Sequence, residues 1–294
     1  MRRFIFCFFL VIFFSSCHKQ RQGEPAPDTA TSGAFELVAD ETLKPCIDSL
    51  VFGFNSQTPN AKVTVRYKNA TEALDDLLQG RARLVLIGRP LSKKERDVLS
   101  KQKIELTEAE VAVNAIGCVV GRHSNLDMIS MDSLNRLING EALGKYGNWG
   151  LISSSYLSST EVILDSIFGR ENYVEGMIAE YQTTDSIINR VKKLENAIGF
   201  VNASWIKKLS SSGDSSIKVL LITGISDRPI MMHPAYILQK LYPLTSRIMA
   251  YTTEVPNTLP RGFLAYAMSA DGQRVFLNFD LLPATQILKL VPPQ

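Results

Sequence analysis

Val111-Ala112-Val113-Asn114-Ala115-Ile116-Gly117-Cys118-Val119-Val120 is the stretch on which the fold turns. It is a long β-like run, long enough to cross between two lobes. A shorter run stands before it: Leu84-Val85-Leu86-Ile87 is continuously apolar, as parallel strands buried on both faces are. Further towards the N-terminus, Phe35-Glu36-Leu37-Val38 and Val63-Thr64-Val65-Arg66-Tyr67 read as strands. Helices fall between these strands. Thr42 is expected to cap one that carries Leu43, Ile47, Leu50, Val51 and Phe54 on one face, with Pro45 tolerated in its first turn. A second, near 70–79, stops at Gly80, and a charged third runs from Ser92 to about Lys101.

The alternation continues on the C-terminal side. A helix over 131–139 ends at Gly140, and a glycine-rich loop containing Trp149 leads to Gly150. The loop holds no Gly-Lys-Ser/Thr, which rules out a P-loop. Strands are expected from Gly150 to Ser153, over Ala197-Ile198-Gly199-Phe200-Val201, from Val219 to Ile222 and from Arg247 to Tyr251. Asp185 is expected to cap a helix with Ile187, Ile188, Val191 and Leu194 inward. Two last helices pass through Phe263-Leu264 and Val275-Phe276. Strands alternating with helices define an α/β chain.

The stretch Leu157-Ser158-Ser159-Thr160-Glu161-Val162-Ile163-Leu164-Asp165-Ser166-Ile167-Phe168-Gly169 places three hydroxyls at the mouth of an amphipathic helix. The first turn of a helix has backbone N–H groups without partners and the positive end of the macrodipole. With added hydroxyls it becomes a pocket for a small oxyanion such as phosphate or sulfate. Ser158-x-x-Glu161 is equally a capping box, in which the helix satisfies its own donors. Both readings stand on these residues alone.

A length of 294 residues suggests two domains, and 45% hydrophobic with 21% charged residues suits a packed core. The formal charge of +3 includes Arg2 and Arg3; without them it is +1, which gives no footprint for nucleic acid. Arg2-Arg3, the apolar Phe4 to Phe14 and Ser15-Ser16-Cys17 form a secretory signal over 1–16. The apolar run is far short of the ~20 residues that span a bilayer. A cysteine directly after two small residues resembles a bacterial lipobox, with Cys17 the lipidated first residue; the alternative is an ordinary signal peptide with a coincidental cysteine. Residues 17–33 contain no large apolar side chain and read as a flexible tether. The body keeps Cys46 and Cys118, either paired or two buried free thiols. None of the histidines falls in a metal-ligand spacing, and no Gly-x-Ser-x-Gly elbow or paired-carboxylate pattern occurs. The expectation is a non-enzyme without metal or cofactor.

Several segments, in order, resemble the phosphate-binding proteins of ABC transporters, the PstS-like family, and its lipoprotein members in particular. Leu86-Ile87-Gly88-Arg89-Pro90-Leu91-Ser92-Lys93-Lys94-Glu95 is similar to its S-R-P/E-L-T-x-x-E stretch. Asp132 to Gly140 with Trp149 follows its L-x-x-I-x-x-G helix and the tryptophan after it, and Ser158-Ser159-Thr160 sits where the family has Ser-Gly-Thr. Asn196 to Val201 matches G-A-I-G-Y-V; Tyr242-Pro243-Leu244-Thr245-Ser246-Arg247 matches Y-P-L-S/T-R with one inserted residue. Ala270 to Val275 and Leu281-Leu282-Pro283-Ala284 resemble its last two motifs.

The resemblance implies a two-lobed periplasmic-binding-protein type II fold, each lobe a mixed sheet flanked by helices, joined by two hinge segments. Lobe one would be 34–114 plus 231–290, and lobe two 115–230. It implies an oxyanion, phosphate first, held in the cleft by Thr42, Arg89, Ser158, Ser159 and Thr160, and delivered to an ABC permease by a monomer anchored to the membrane. Four positions depart from the family. No acidic acceptor stands near Gly88-Arg89, Ser154 replaces an arginine, Ser159 replaces a glycine, and Glu41 brings a carboxylate where a small hydroxyl is usual. Those departures favour the alternative, a lipoprotein of the same fold that has lost phosphate binding and acts as a sensing or interaction module or binds another small ligand.

Overall fold

The computed structural model describes residues 28–142, 149–154, 164, 168–169, 178–224, 226 and 228–285. β1 (Gly33–Asp40), β2 (Ala61–Lys68) and β3 (Leu84–Ile87) are parallel, with β1 between the other two. β11 (Thr245–Thr252) returns from far along the chain and inserts antiparallel between β3 and β4 (Thr107–Gly121). β4 is the longest strand described, and it serves two sheets. Its first part, Thr107 to Ala115, pairs with β11, and from Ile116 onward it pairs with β8 (Ala197–Asn202) and β9 (Ile217–Val219). Beyond β8 lie β6 (Gly150–Ser154) and β7 (Ile178–Tyr181), both parallel to it in direction. A small separate pair joins β5 (Met128–Ser130) to β10 (Leu221–Thr223), and β12 (Leu282–Pro283) flanks β4. The mixed α/β architecture therefore has two sheets sharing one strand.

Burial follows the strand period. Leu84 and Leu86 enter the large core that runs through both sheets, while Val85 and Ile87 enter a second core under α2 (Ala70–Leu78) and α3 (Lys93–Gln102). On β8, Ile198 and Phe200 face the large core; Ala197 and Val201 face a third core with Ile187, Ile188 and Val191 of α5 (Thr184–Val191). Burying each of those three aliphatic side chains contributes ~1.5–3 kcal/mol, which holds α5 on the sheet. Gly199 lets the helix approach: a Cβ there would lie 2.6 Å from Val191 Cγ2.

α1 (Lys44–Gln57), α4 (Met131–Ile138), α6 (Ala203–Ser211), α7 (Pro234–Leu238), α8 (Leu259–Met268) and α9 (Ala270–Asn278) complete the described helices. Three local expectations are corrected. Thr42 does not cap α1; it sits inside a 3-10 turn, Glu41–Leu43, capped by Asp40, whose Oδ1 accepts the Thr42 N–H at 3.1 Å. Thr183, not Asp185, caps α5, because its extended backbone brings Oγ1 within 3.3 Å of the Ser186 N–H. Val219 to Ile222 is not one strand. Leu220 donates its N–H to the Cys118 carbonyl and is wholly buried, and there the chain leaves β4 for β5. Cys46 and Cys118 are both buried free thiols. Among the described residues no helix is long and apolar enough to cross a membrane.

Candidate functional site

The carboxyl ends of β1 and β3 in one sheet and of β6 and β8 in the other carry half of the buried polar side chains among the described residues: Asp40 and Thr42, Arg89, Ser153 and Ser154, and Asn202. In open α/β sheets this edge is where ligands bind. Asn114 joins them from β4. Register places it: Asn202 pairs with Ile116, Asn114 lies two residues along β4 on the same face, and Ser153 extends the Leu151–Ile198 pair onto that face too. The 3-10 turn bearing Thr42 packs against β8 and α6.

Four of these side chains have a common property. The Thr42 hydroxyl, both polar atoms of Asn114, the Ser153 hydroxyl and both polar atoms of Asn202 are buried without a hydrogen-bond partner among the described residues. A buried polar group left so costs ~1–3 kcal/mol, and native proteins keep few of them. Their hydroxyl and amide N–H groups are neutral donors of the kind that hold a small oxyanion without adding charge.

Glu41 faces them from the first sheet. Its Oε2 accepts the Thr184 N–H at 3.1 Å and the Thr184 hydroxyl at 2.9 Å, and its Oε1 takes the same N–H at 3.3 Å. Thr184 is the first residue of α5, so the carboxylate occupies one of the orphan donors at the positive end of that helix. The Glu41 carbonyl accepts the Trp205 indole N–H at 3.4 Å. Burial pushes the Glu41 carboxyl up to about 7; the Thr184 bonds pull against that shift, and Asp40 and Asp185 add to it.

Arg89 is not the free cation that the sequence reading called for. It is 2% exposed, and its fork closes on Glu95 at 2.7 and 2.8 Å. Further bonds run to the Pro90 carbonyl at 3.1 Å and the Thr71 hydroxyl at 3.3 Å. Glu95 is the capping-box glutamate of α3, also accepting the Ser92 N–H at 2.7 Å. Burial alone would raise the Glu95 carboxyl, but the Arg89 bonds and charge and the Ser92 N–H outweigh it and hold it below its ordinary value. The guanidinium charge is thus balanced inside the protein by Glu95.

Thr42 lies in the 3-10 turn just past the end of β1, and its hydroxyl makes no capping bond. Ser158, Ser159, Thr160 and Cys17 lie outside the described residues. Of the stretch 157–169, Leu164 and Phe168 are buried and Gly169 has a φ of +77°, the left-handed backbone of a helix stop. Asn114, Ser153, Asn202 and Thr184 were missed as site residues. Asn114 had a signal, an amide in the middle of an otherwise apolar run; the others carried none.

Comparison with known proteins identifies the fold. Residues 24–271 match the PBP superfamily domain. SphX of Synechococcus elongatus is 20% identical over 263 residues, 85% of this chain and 74% of that protein. Among solved structures, one from Clostridium perfringens, assigned as a phosphate ABC-transporter substrate-binding protein and holding phosphate, superposes with a TM-score of 0.74 at 15% identity, covering 86% of this chain and 100% of that one. An ABC-type phosphate transport receptor from Vibrio cholerae superposes with a TM-score of 0.63 at 16% identity, covering 84% and 99%. Two sheets joined through β4 suit a two-lobed fold of this kind, and the chain belongs to the periplasmic-binding-protein (PBP) superfamily.

Proposed function

We propose that the protein captures a small oxyanion, phosphate first, in the cleft between its lobes and passes it to an ABC-type importer. The observation that carries this reading is the set of buried hydroxyl and amide groups of Thr42, Ser153 and Asn202 near strand ends and of Asn114 on β4, none with a partner among the described residues. The phosphate-holding Clostridium perfringens protein and the Vibrio cholerae phosphate transport receptor share the fold over nearly their whole length. Ser158, Ser159 and Thr160 complete the site from lobe two in this proposal, and Arg89 braces the loop behind it. Lobe one is 34–114 plus 231–290 and lobe two 115–230. The chain works as an exported monomer that binds but does not transform its ligand, tethered by residues 17–33 to a lipid on Cys17.

Calorimetric titration of the full chain in detergent with phosphate, sulfate and small carboxylates tests this. Phosphate binding at micromolar Kd or tighter is expected; no heat with any oxyanion would overturn it. One observation favours the second reading, a lipoprotein of the same fold that has lost phosphate binding: Glu41 places the chain's own carboxylate at the α5 N-terminus.

A further inference from the structure

Glu41 belongs to the turn after β1 in the first sheet, and Thr184 opens a helix packed on the second. Their three contacts, at 2.9 to 3.3 Å, and the Trp205–Glu41 bond tie the two lobes together beside the strand-end site. A carboxylate resembles half of an oxyanion: two oxygens sharing one negative charge, seated on a helix N-terminal N–H and a hydroxyl. We propose that Glu41 is an intramolecular anion latch, a built-in competitor that holds the lobes together through Thr184 and yields when an external oxyanion is captured.

The surroundings suit a contact that can open. The charges acting on Glu41 are those of Asp40 on its own side and Asp185 on α5, both acids, and Tyr67 on β2 lies near enough to feel Glu41 in turn. β8 brings no titratable group. The nearby cations are engaged elsewhere: Lys44 on α1 with Asp48, Lys207 on α6 with Asp280, and Lys208 over the Trp205 ring. No described cation therefore locks the carboxylate in place, and Asp40 and Asp185 repel it. Burial raises its pKa to about 7, so acidification through neutrality removes the charge that makes it a competitor.

The latch stands on this geometry alone; its competition with a ligand rests on the oxyanion-binding function proposed above. The test uses the full chain in detergent as wild type, Glu41→Gln, which keeps the shape and loses the charge, and Glu41→Ala. Hydrogen exchange at the Thr184 amide should accelerate at least tenfold in the alanine variant while the buried body of α5 stays protected. Equal protection in all three proteins overturns the latch. Titrated with inorganic phosphate, Glu41→Gln should bind at least tenfold more tightly than wild type at pH 8, and the gap should close at pH 6. The glutamine variant also controls for the titration of phosphate itself. Equal affinity at both pH values overturns the competition. If no protein binds phosphate or sulfate, the oxyanion function and the competition fall together, and Thr184 exchange still decides the latch.

Discussion

Replacing Arg89 with methionine should unfold the protein's balance of charge before it affects any ligand. The guanidinium is 3% and the Glu95 side chain 19% exposed, and two charge-assisted bonds of 2.7 and 2.8 Å join them. Methionine fills much of the volume but leaves the carboxylate half-buried with only the Ser92 N–H against it. Removing one partner of a buried ion pair costs ~3–5 kcal/mol. At ~2–4 °C per kcal/mol for a protein of this size, Tm should fall by about 6–20 °C. Glu95→Gln should cost less, since the amide can still accept from Ser92. The double variant should then recover much of the loss, with a coupling above ~1.5 kcal/mol in a denaturant-based double-mutant cycle. The coupling should also depend on pH with a definite sign. Glu95 sits below its ordinary 4.5, so the stability it contributes is present above that value and is lost as pH falls through the lowered folded value. Additive losses, or an Arg89→Met protein as stable as wild type that no longer binds phosphate, would refute the reasoning and return Arg89 to the site.

Other consequences are open to simpler measurements. Asn114→Leu removes a buried amide without a partner, so stability should rise by ~1–2 kcal/mol in urea while phosphate affinity falls at least tenfold. Asp76 is buried and would titrate high for that reason, but Lys68, Arg81 and Arg66 together hold it at about 2. Its stability contribution is full above 3.8 and disappears as pH falls towards about 2, so the stability gap between wild type and Asp76→Asn should close over that interval in denaturant titrations. Burial pushes the thiols of Cys46 and Cys118 up to about 12, so peptide mapping should find both unalkylated in the native protein and both modified after unfolding.

The fold was largely legible because its strands announce themselves twice, by apolar content and by position between helix stops. Leu84 to Ile87 reads as buried on both faces because it feeds two cores, and β4 reads as long because it serves two sheets. What failed was local and competitive. Thr42 and Asp185 are both good caps by type, yet Asp40 and Thr183 hold the extended backbone that a cap requires. The break at Leu220 depends on a bond to Cys118, a hundred residues earlier, which no local pattern encodes. Arg89 shows the limit most clearly. An arginine at a strand end looks the same in sequence whether it awaits an anion or already holds one, and the glutamate six residues on was read only as part of a family-like stretch. Glu41 was legible as a misplaced charge, but its partner Thr184, 143 residues away, was not.

The insertion of β11 between β3 and β4 also sets a timetable. A chain that emerges N-terminus first delivers β4, β6, β7, β8 and β9 well before residues 245–252. The half that starts later in sequence can therefore close first. Until β11 arrives, Leu84 to Ile87 has an open edge on the side where β11 will pair, and all four of its side chains are ones the finished protein hides. That is the surface on which a stalled or truncated chain would aggregate, and the one a holding chaperone would have to cover until the last fifth of the protein is made.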